Sequence, residues 1–234
     1  MKNVEIPKDL IFIYRQLNTQ NINLLQFNMS VQSGIQLIFK RILDLVASVV
    51  LLFVLSPLII FLCVYIYFHD FHNPLISIKR SGKNGKEFAM YKFRTMKPST
   101  HEDRTALEQI NTRKGPLFKI ENDPRIIKSL NWLRIYSLDE LPQLFNVIKG
   151  DMSLVGPRPL FAEDLVKFTN EQTLRLSVLP GITGLLQINE RNTSDFETWF
   201  KYDLEYIENW NLMLDIKIIL KTPFFLFKSK VSGK

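Results

Sequence analysis

Residues 45–68, LVASVVLLFVLSPLIIFLCVYIYF, carry no charged side chain. As a helix these 24 residues extend about 36 Å, enough for the roughly 30 Å hydrocarbon core of a bilayer. The alternative, a buried helix of a soluble core, is rarely so uniformly apolar. Two features argue against a simple crossing. Ser56-Pro57 lies at the middle, where proline removes a hydrogen bond and kinks a helix. Basic residues flank both sides, with Lys40 and Arg41 before and Lys79, Arg80, Lys83 and Lys86 after, and positive charge is retained on the cytoplasmic side. A helix that enters, bends at Ser56-Pro57 and returns satisfies both; a kinked spanning helix is the alternative.

The run divides the 234-residue chain into an extension over 1–34, a re-entrant membrane helix over 35–68 and a cytoplasmic domain over 69–234. The extension has mixed charge and a stretch rich in Asn and Gln. Its apolar residues are too irregularly spaced for a helix, and the chain lacks a signal-peptide layout. Lys and Arg outnumber Asp and Glu by 30 to 23, a net charge of +7, which points to anionic partners such as nucleotides or an acidic membrane surface. Nucleic acid is not expected, because no long Lys/Arg block or RNP-type aromatic pattern occurs. The single cysteine, Cys63, rules out an internal disulfide and fits a reducing compartment. His69, Asp70 and His72 read as interfacial polar residues rather than a metal site.

Beyond the run, LISIKR and EFAMYKF read as two strands around Asn84-Gly85, a strong hairpin signal. The second leads into Lys92 and Arg94, a basic pair set among apolar neighbours and suited to a phosphate. Residues 97–115 read as a polar loop or mobile helix near the site entrance. Asn122-Asp123-Pro124-Arg125 reads as a turn and Ile126 to Ile135 as a helix carrying Arg134. Phe161 to Val178 reads as a helix with Glu163, Asp164, Lys167 and Arg175 as surface charges. INERN, from Ile188, reads as a short strand and loop. Asp195 to Lys221 is a long helical candidate whose aromatics suit either a core or a membrane interface, ended by Thr222-Pro223. The fold class is α/β in the helix-rich α+β sense, a membrane-associated chain with a compact interfacial domain and a small sheet.

The chemistry concentrates in residues 133–159, LRIYSLDELPQLFNVIKGDMSLVGPRP. Asp139 and Glu140 lie between Arg134 and Arg158, with Asp151 a third acid. Arg offers a planar fork to phosphate oxygens, and a hard cation such as Mg²⁺ takes carboxylate oxygens. A structural reading stands beside this one: Ser137-x-x-Glu140 is a capping box, and acids in a first turn offset the helix dipole. A start near Asp139 would keep Pro142 within the first turn and put Asp139 at the positive end, beside any bound anion. A membrane segment, a carboxylate pair and arginines together point to phosphoryl transfer between a soluble nucleotide and a lipid. A carboxylate can attack phosphorus to give an acyl phosphate, with Mg²⁺ neutralising the diphosphate. No Walker A, kinase glycine-rich loop or G-x-G-x-x-G occurs.

These motifs, in the order KRILD, Ser-Pro, YKFRTM, NDPRI, LRIYSLDELPQLFNVIKGDMSLVGPRP, LPGITG and YDLEYIENWNLMLDIKIILKT, resemble the bacterial sugar transferases. These are monotopic phosphoglycosyl transferases that begin glycan assembly on undecaprenyl phosphate. The resemblance covers about Ile38 to Thr222. It implies a re-entrant helix dipping into the cytoplasmic leaflet of the bacterial inner membrane and an interfacial catalytic domain. The dyad matches Asp139 and Glu140. Asp139 would attack the sugar-bearing phosphate of a UDP-sugar, expelling UMP, and undecaprenyl phosphate would take the phosphosugar. Glu140 would help Asp139 position Mg²⁺. Arg134 and Arg158 would grip phosphates, and Lys92, Arg94, Arg191 and Asn192 would lie near the nucleotide. The resemblance, without the larger members' several spanning helices, implies a short form.

The chain departs from the family pattern at Glu190, where glycine usually precedes Arg-Asn, at Leu130 and at Leu186; none of these touches the dyad. Two rivals follow: an inactive membrane scaffold or regulator of glycan assembly, and a one-step transferase in which Asp139 only binds metal. Homo-oligomerisation and the identity of the sugar are left open.

Overall fold

The apolar run becomes one helix, α1 (Ile35–Asp70), which extends ten residues before the uncharged stretch and two beyond it. We describe the protein from a computed structural model, over residues 34–97, 123–165, 168–169, 171–190, 193 and 195–228. The 1–34 extension apart from Gly34, most of the 97–115 segment, Lys167, Arg191 and Asn192 lie outside the described residues.

The helical assignment of α1 continues through Pro57. Proline has no N–H for the carbonyl one turn earlier, that of Phe53, and the Ser56 hydroxyl donates to that same oxygen at 2.8 Å. The Ser-Pro pair thus replaces the bond that it removes. Only 11% of the most apolar stretch of α1 is buried, so the protein does not enclose it as a soluble core would. The buried residues fall at two places, Asp44 and Ser48 on one side of Pro57 and Leu62 and Ile66 on the other, with none over 49–61. Phe53, next to the break, is 81% exposed.

Strands β1 (Leu75–Ser81) and β2 (Glu87–Phe93) pair antiparallel, Leu75 opposite Phe93 and Ser81 opposite Glu87. Asn84 and Gly85 take left-handed conformations in the connection, as the hairpin signal predicts. After a 3₁₀ turn at Lys128–Leu130 come α2 (Asn131–Ile135), a 3₁₀ turn at Leu138–Glu140 and α3 (Gln143–Lys149). Then follow β3 (Ser153–Val155), α4 (Ala162–Leu165), a 3₁₀ segment at Gln172–Ser177 and β4 (Gly181–Thr183). Helices α5 (Leu185–Asn189), α6 (Phe196–Glu208) and α7 (Leu212–Lys228) complete the chain. The strands form two separate two-stranded sheets rather than one, the second parallel between β3 and β4.

Several expectations are corrected. The helix expected over Phe161–Val178 is two short pieces, because Arg175 and Asp164 are buried rather than surface charges. The strand lies in the GIT segment, and INERN begins inside α5. The helix expected over 195–221 is two, separated at 209–211, where Trp210 is buried and Asn211 accepts from the Leu214 N–H at 2.9 Å to start α7. Helix α7 runs through Pro223, with the Thr222 hydroxyl donating to Ile218 O at 2.8 Å. One missing N–H does not outweigh the packing of Ile218, which is fully buried.

Both halves of α1 dock on this unit. On the first, Lys40 pairs with Asp215 of α7 at 2.6 Å and donates to Val155 O of β3 at 3.2 Å. Arg41 donates to Val147 O at 2.6 Å and Ile148 O at 2.9 Å, capping the end of α3. Asp44 accepts from the Leu154 N–H at 3.1 Å. On the second, Leu62 and Ile66 join Phe93, Leu130 and Leu133 in a buried cluster, and Asp70 pairs with Arg94. Trp199, Tyr206 and Trp210 are buried, so the aromatics of 195–221 serve mainly the core, whereas Met213, Leu220 and Phe224 of α7 are exposed.

Candidate active site

Asp139 and Glu140 sit on the Leu138–Glu140 turn, whose two flanking leucines set its position. Leu138 and Leu141 pack against the cluster of Leu62, Ile66, Phe93, Leu130 and Leu133, so the carboxylates share an apolar cluster with the second half of α1. Ser137 before them is left-handed, φ 54°, and makes no side-chain cap bond. The capping box is therefore not formed, and Glu140 turns to other partners. Helix α3 starts one turn later, with Pro142 at its cap position, so Asp139 lies ahead of that helix rather than at its first residue.

Both carboxylates are buried, at 5% and 8% exposure, a cost that only paired charges offset. Lys92 from β2 supplies one partner, 2.8 Å from Glu140 Oε1 and 3.5 Å from Asp139 Oδ2. Arg158 supplies the other, its Nη2 donating to Glu140 Oε1 at 2.7 Å and its Nη1 to Oε2 at 3.4 Å. Burial alone would raise the Glu140 pKa, but the charges of Arg158 and Lys92 prevail and hold its carboxyl well below the usual carboxylate range. Glu140 is thus an ionised acceptor paired closely with two cations, whereas Asp139 meets Lys92 at the longer distance of 3.5 Å and feels the charge of Arg158. Of the two, Asp139 is the less heavily engaged carboxylate.

The loop carrying Arg158 is held on one side by main-chain bonds. Gly156 N donates to Thr183 O and Gly181 N to Pro157 O, both at 2.9 Å, and Ser153 N donates to Pro180 O at 2.9 Å. A Cβ on Gly181 would lie 2.7 Å from Gly156 Cα, and one on Gly184 2.6 Å from Gly156 O. GPRP and PGITG are therefore two halves of one close contact, which requires glycine because the main chains touch.

The other expected site residues are placed elsewhere. Arg94 is 3% exposed; its Nε donates to Asn73 O at 2.9 Å, its Nη1 to Asp70 Oδ2 at 2.6 Å, and its Nη2 also binds Asp70. It ties the end of α1 to β2 rather than presenting a fork to a phosphate. Arg134 donates to Thr95 Oγ1 at 3.2 Å. Asp151 accepts from Asn146 Nδ2 at 3.3 Å and lies 3.8 Å from Lys149, so the third acid serves the end of α3. His69 contacts Ser129. Sequence reasoning missed Leu138 and Leu141, whose hydrophobic positions either side of an Asp-Glu pair are the signal that the pair is fixed to an apolar surface.

Two carboxylates suit Mg²⁺, which takes one or two protein oxygens and completes its shell with phosphates and water. Among the described residues no group of three His, Cys, Asp or Glu gathers as a metal cage, so a cation here would rest on Asp139, Glu140 and the substrate's own oxygens.

Comparison with known proteins gives the geometry its context. The family described as "Bacterial sugar transferase" matches residues 35–229. The chain is 41% identical over 204 residues to a galactosyl transferase, CpsE, of Streptococcus agalactiae, covering 87% of this chain and 45% of the relative. It is 38% identical over 218 residues to an undecaprenyl-phosphate galactose phosphotransferase of Salmonella typhimurium, covering 92% and 45%. It is 35% identical over 236 residues to a UDP-glucose:undecaprenyl-phosphate glucose-1-phosphate transferase of Klebsiella pneumoniae, covering 96% and 48%. The chain thus spans about half the length of these relatives. A match running from the first residue of α1 to just past the last of α7 takes in the dyad, both of its cations and the glycine contact, and the chain belongs to the bacterial sugar transferase family.

Proposed function

We propose that the chain transfers a sugar 1-phosphate from a UDP-sugar to undecaprenyl phosphate, releasing UMP, at the cytoplasmic face of the bacterial inner membrane. One observation carries the reading: a buried carboxylate dyad, its two cations in place, is anchored by Leu138 and Leu141 in an apolar cluster shared with a helix that the protein leaves largely uncovered. A polar donor can reach such a site from water and a lipid acceptor from the membrane. The Salmonella and Klebsiella relatives carry undecaprenyl phosphate in their names, and the product would enter polysaccharide or glycoconjugate assembly.

In this reading Asp139 is the nucleophile. One of its carboxylate oxygens attacks the sugar-bearing phosphorus, the bond from that phosphorus to the bridging oxygen breaks, and the electron pair leaves with UMP. A phosphate oxygen of undecaprenyl phosphate then attacks the same phosphorus, returning Asp139 as a carboxylate and forming the diphosphate. Lys92 and Arg158, already beside the dyad, balance negative charge as the donor's phosphates arrive. Glu140 fixes both cations where Asp139 needs them. Asp139 and Glu140 would hold Mg²⁺, which when bound would neutralise charge on the diphosphate. Arg134, Arg191 and Asn192 belong to the nucleotide side of the site on the strength of the family motifs.

The same reading makes α1 re-entrant. A helix whose two ends are both bonded to one domain, while 49–61 stay unburied, supports an apex dipping into the membrane with both ends on one side.

Incubation with a panel of UDP-sugars, Mg²⁺ and undecaprenyl phosphate tests the function. UMP release that Asp139→Asn removes without loss of fold supports it. No release from any donor, with partner binding alone, would favour the scaffold, which the intact dyad and cations argue against.

A further inference from the structure

Arg158 reaches Glu140 from a proline-flanked loop, and a second buried arginine holds its main chain. Arg175 Nη2 donates to Arg158 O at 2.9 Å and lies 2.7 Å from Asp203 Oδ2 of α6. Arg175 and Asp203 are 3% and 4% exposed. We propose that Arg175, oriented by Asp203, is a positioning residue for the transfer reaction, acting through the main chain of Arg158 to keep that guanidinium on Glu140. The proposal rests on the functional reading above.

The pair is poorly explained by stability. Buried ion pairs seldom outperform well-packed apolar residues of similar volume, and this one is incompletely satisfied. Arg175 Nη1 and Asp203 Oδ2 are buried without a well-aligned hydrogen bond among the described residues, as is Ser81 Oγ, and Arg175 and Ser81 line a narrow cleft beside Pro157, Arg158 and Pro159. Burial pushes the Asp203 carboxyl up to about 6 against the opposing charge of Arg175, so the pair remains costly. What it provides is a fixed donor at the carbonyl of the residue whose side chain meets the dyad. The glycine contact holds this loop on one side through Pro157 O; Arg175 holds it one residue later.

The test is a double-mutant cycle on UMP release. The perturbation is Arg175→Met with Asp203→Leu, which removes both charges so that neither is left buried alone; Arg175→Lys, which keeps a cation against Asp203, serves if the first does not fold. Each is measured alone and with Arg158→Lys, and melting is followed in every variant. Loss of positioning should lower kcat by about 10- to 100-fold in the wild-type background and by less than about threefold once Arg158 is already lysine. An equal loss in both backgrounds, or full activity without the pair, overturns the inference while leaving the function standing. A wild-type protein that releases no UMP overturns the function and the inference with it.

Discussion

Gly181→Ala is a severe change for one methyl group, because the added carbon meets backbone. It would sit 2.7 Å from Gly156 Cα and 2.5 Å from Thr183 O, inside the separation of ordinary carbon contacts of about 3.5–4.0 Å. No flexible side chain can move aside, so β3 and β4 must part. Overpacking of this kind costs about 1–3 kcal/mol. Three main-chain hydrogen bonds that flank the strand pair, each 2.9 Å, contribute about 1 kcal/mol apiece. A loss of about 4–6 kcal/mol is a large share of the 5–15 kcal/mol that folds a typical protein, and corresponds to a fall in Tm of about 10–20 °C. Because the parted strands carry Arg158, UMP release should fall further than stability at permissive temperature explains. Gly150→Ala is the control: its Cβ meets Arg41 at an ordinary 3.5 Å, and only its positive φ of 90° costs about 1–2 kcal/mol. Thermal unfolding in detergent micelles, paired with UMP release at 20 °C, reads both. A Gly181→Ala protein that melts and turns over like the wild type would refute the backbone contact.

Glu140 has a folded-state pKa below its ordinary 4.5, so its stabilisation is complete above pH 4.5 and is lost as pH falls below it. Glu140→Gln should therefore flatten the acid limb of a Tm-against-pH curve, and an unchanged limb would mean the pairing with Arg158 and Lys92 is absent. Arg94→Met should destabilise the protein by about 2–3 kcal/mol through loss of charge-assisted bonds while leaving the KM for the sugar nucleotide within about threefold; a selective rise in KM would return Arg94 to the phosphate role that its motif implies. With Cys63→Ser as background, cysteines introduced at Gly34 and at Asn73 should both be labelled by an impermeant reagent only from the cytoplasmic side, whereas labelling from opposite sides would establish a crossing helix.

Local signals were legible in the sequence, and pairings across distance were not. Asn84-Gly85 announced its hairpin because the turn's left-handed backbone is a property of those two residues. The uncharged run announced α1, and the Asp-Glu pair between arginines announced the site. Arg94 read as a phosphate ligand because its neighbours are apolar, yet the acid that neutralises it is Asp70, across β1. Arg175 read as a surface charge because its partner, Asp203, lies in another helix. The division of α6 from α7 was hidden by apolar periodicity that continues across it. Asn209 and Asn211, either side of the buried Trp210, were the available clue, since Asn favours helix boundaries. The capping-box pattern at Ser137 failed because Lys92, 48 residues from Glu140, and Arg158 bind the glutamate more strongly than an N–H would.

The central claim is that Asp139 forms a bond to the sugar phosphate before any lipid is present. Intact-protein mass spectrometry after mixing with UDP-sugar and Mg²⁺, without undecaprenyl phosphate, tests it directly. The account predicts a mass increase equal to one phosphosugar, mapped to Asp139, formed with stoichiometric UMP and discharged when undecaprenyl phosphate is added. An unmodified protein that nevertheless makes the lipid-linked sugar once the acceptor arrives would contradict it and establish a one-step transfer.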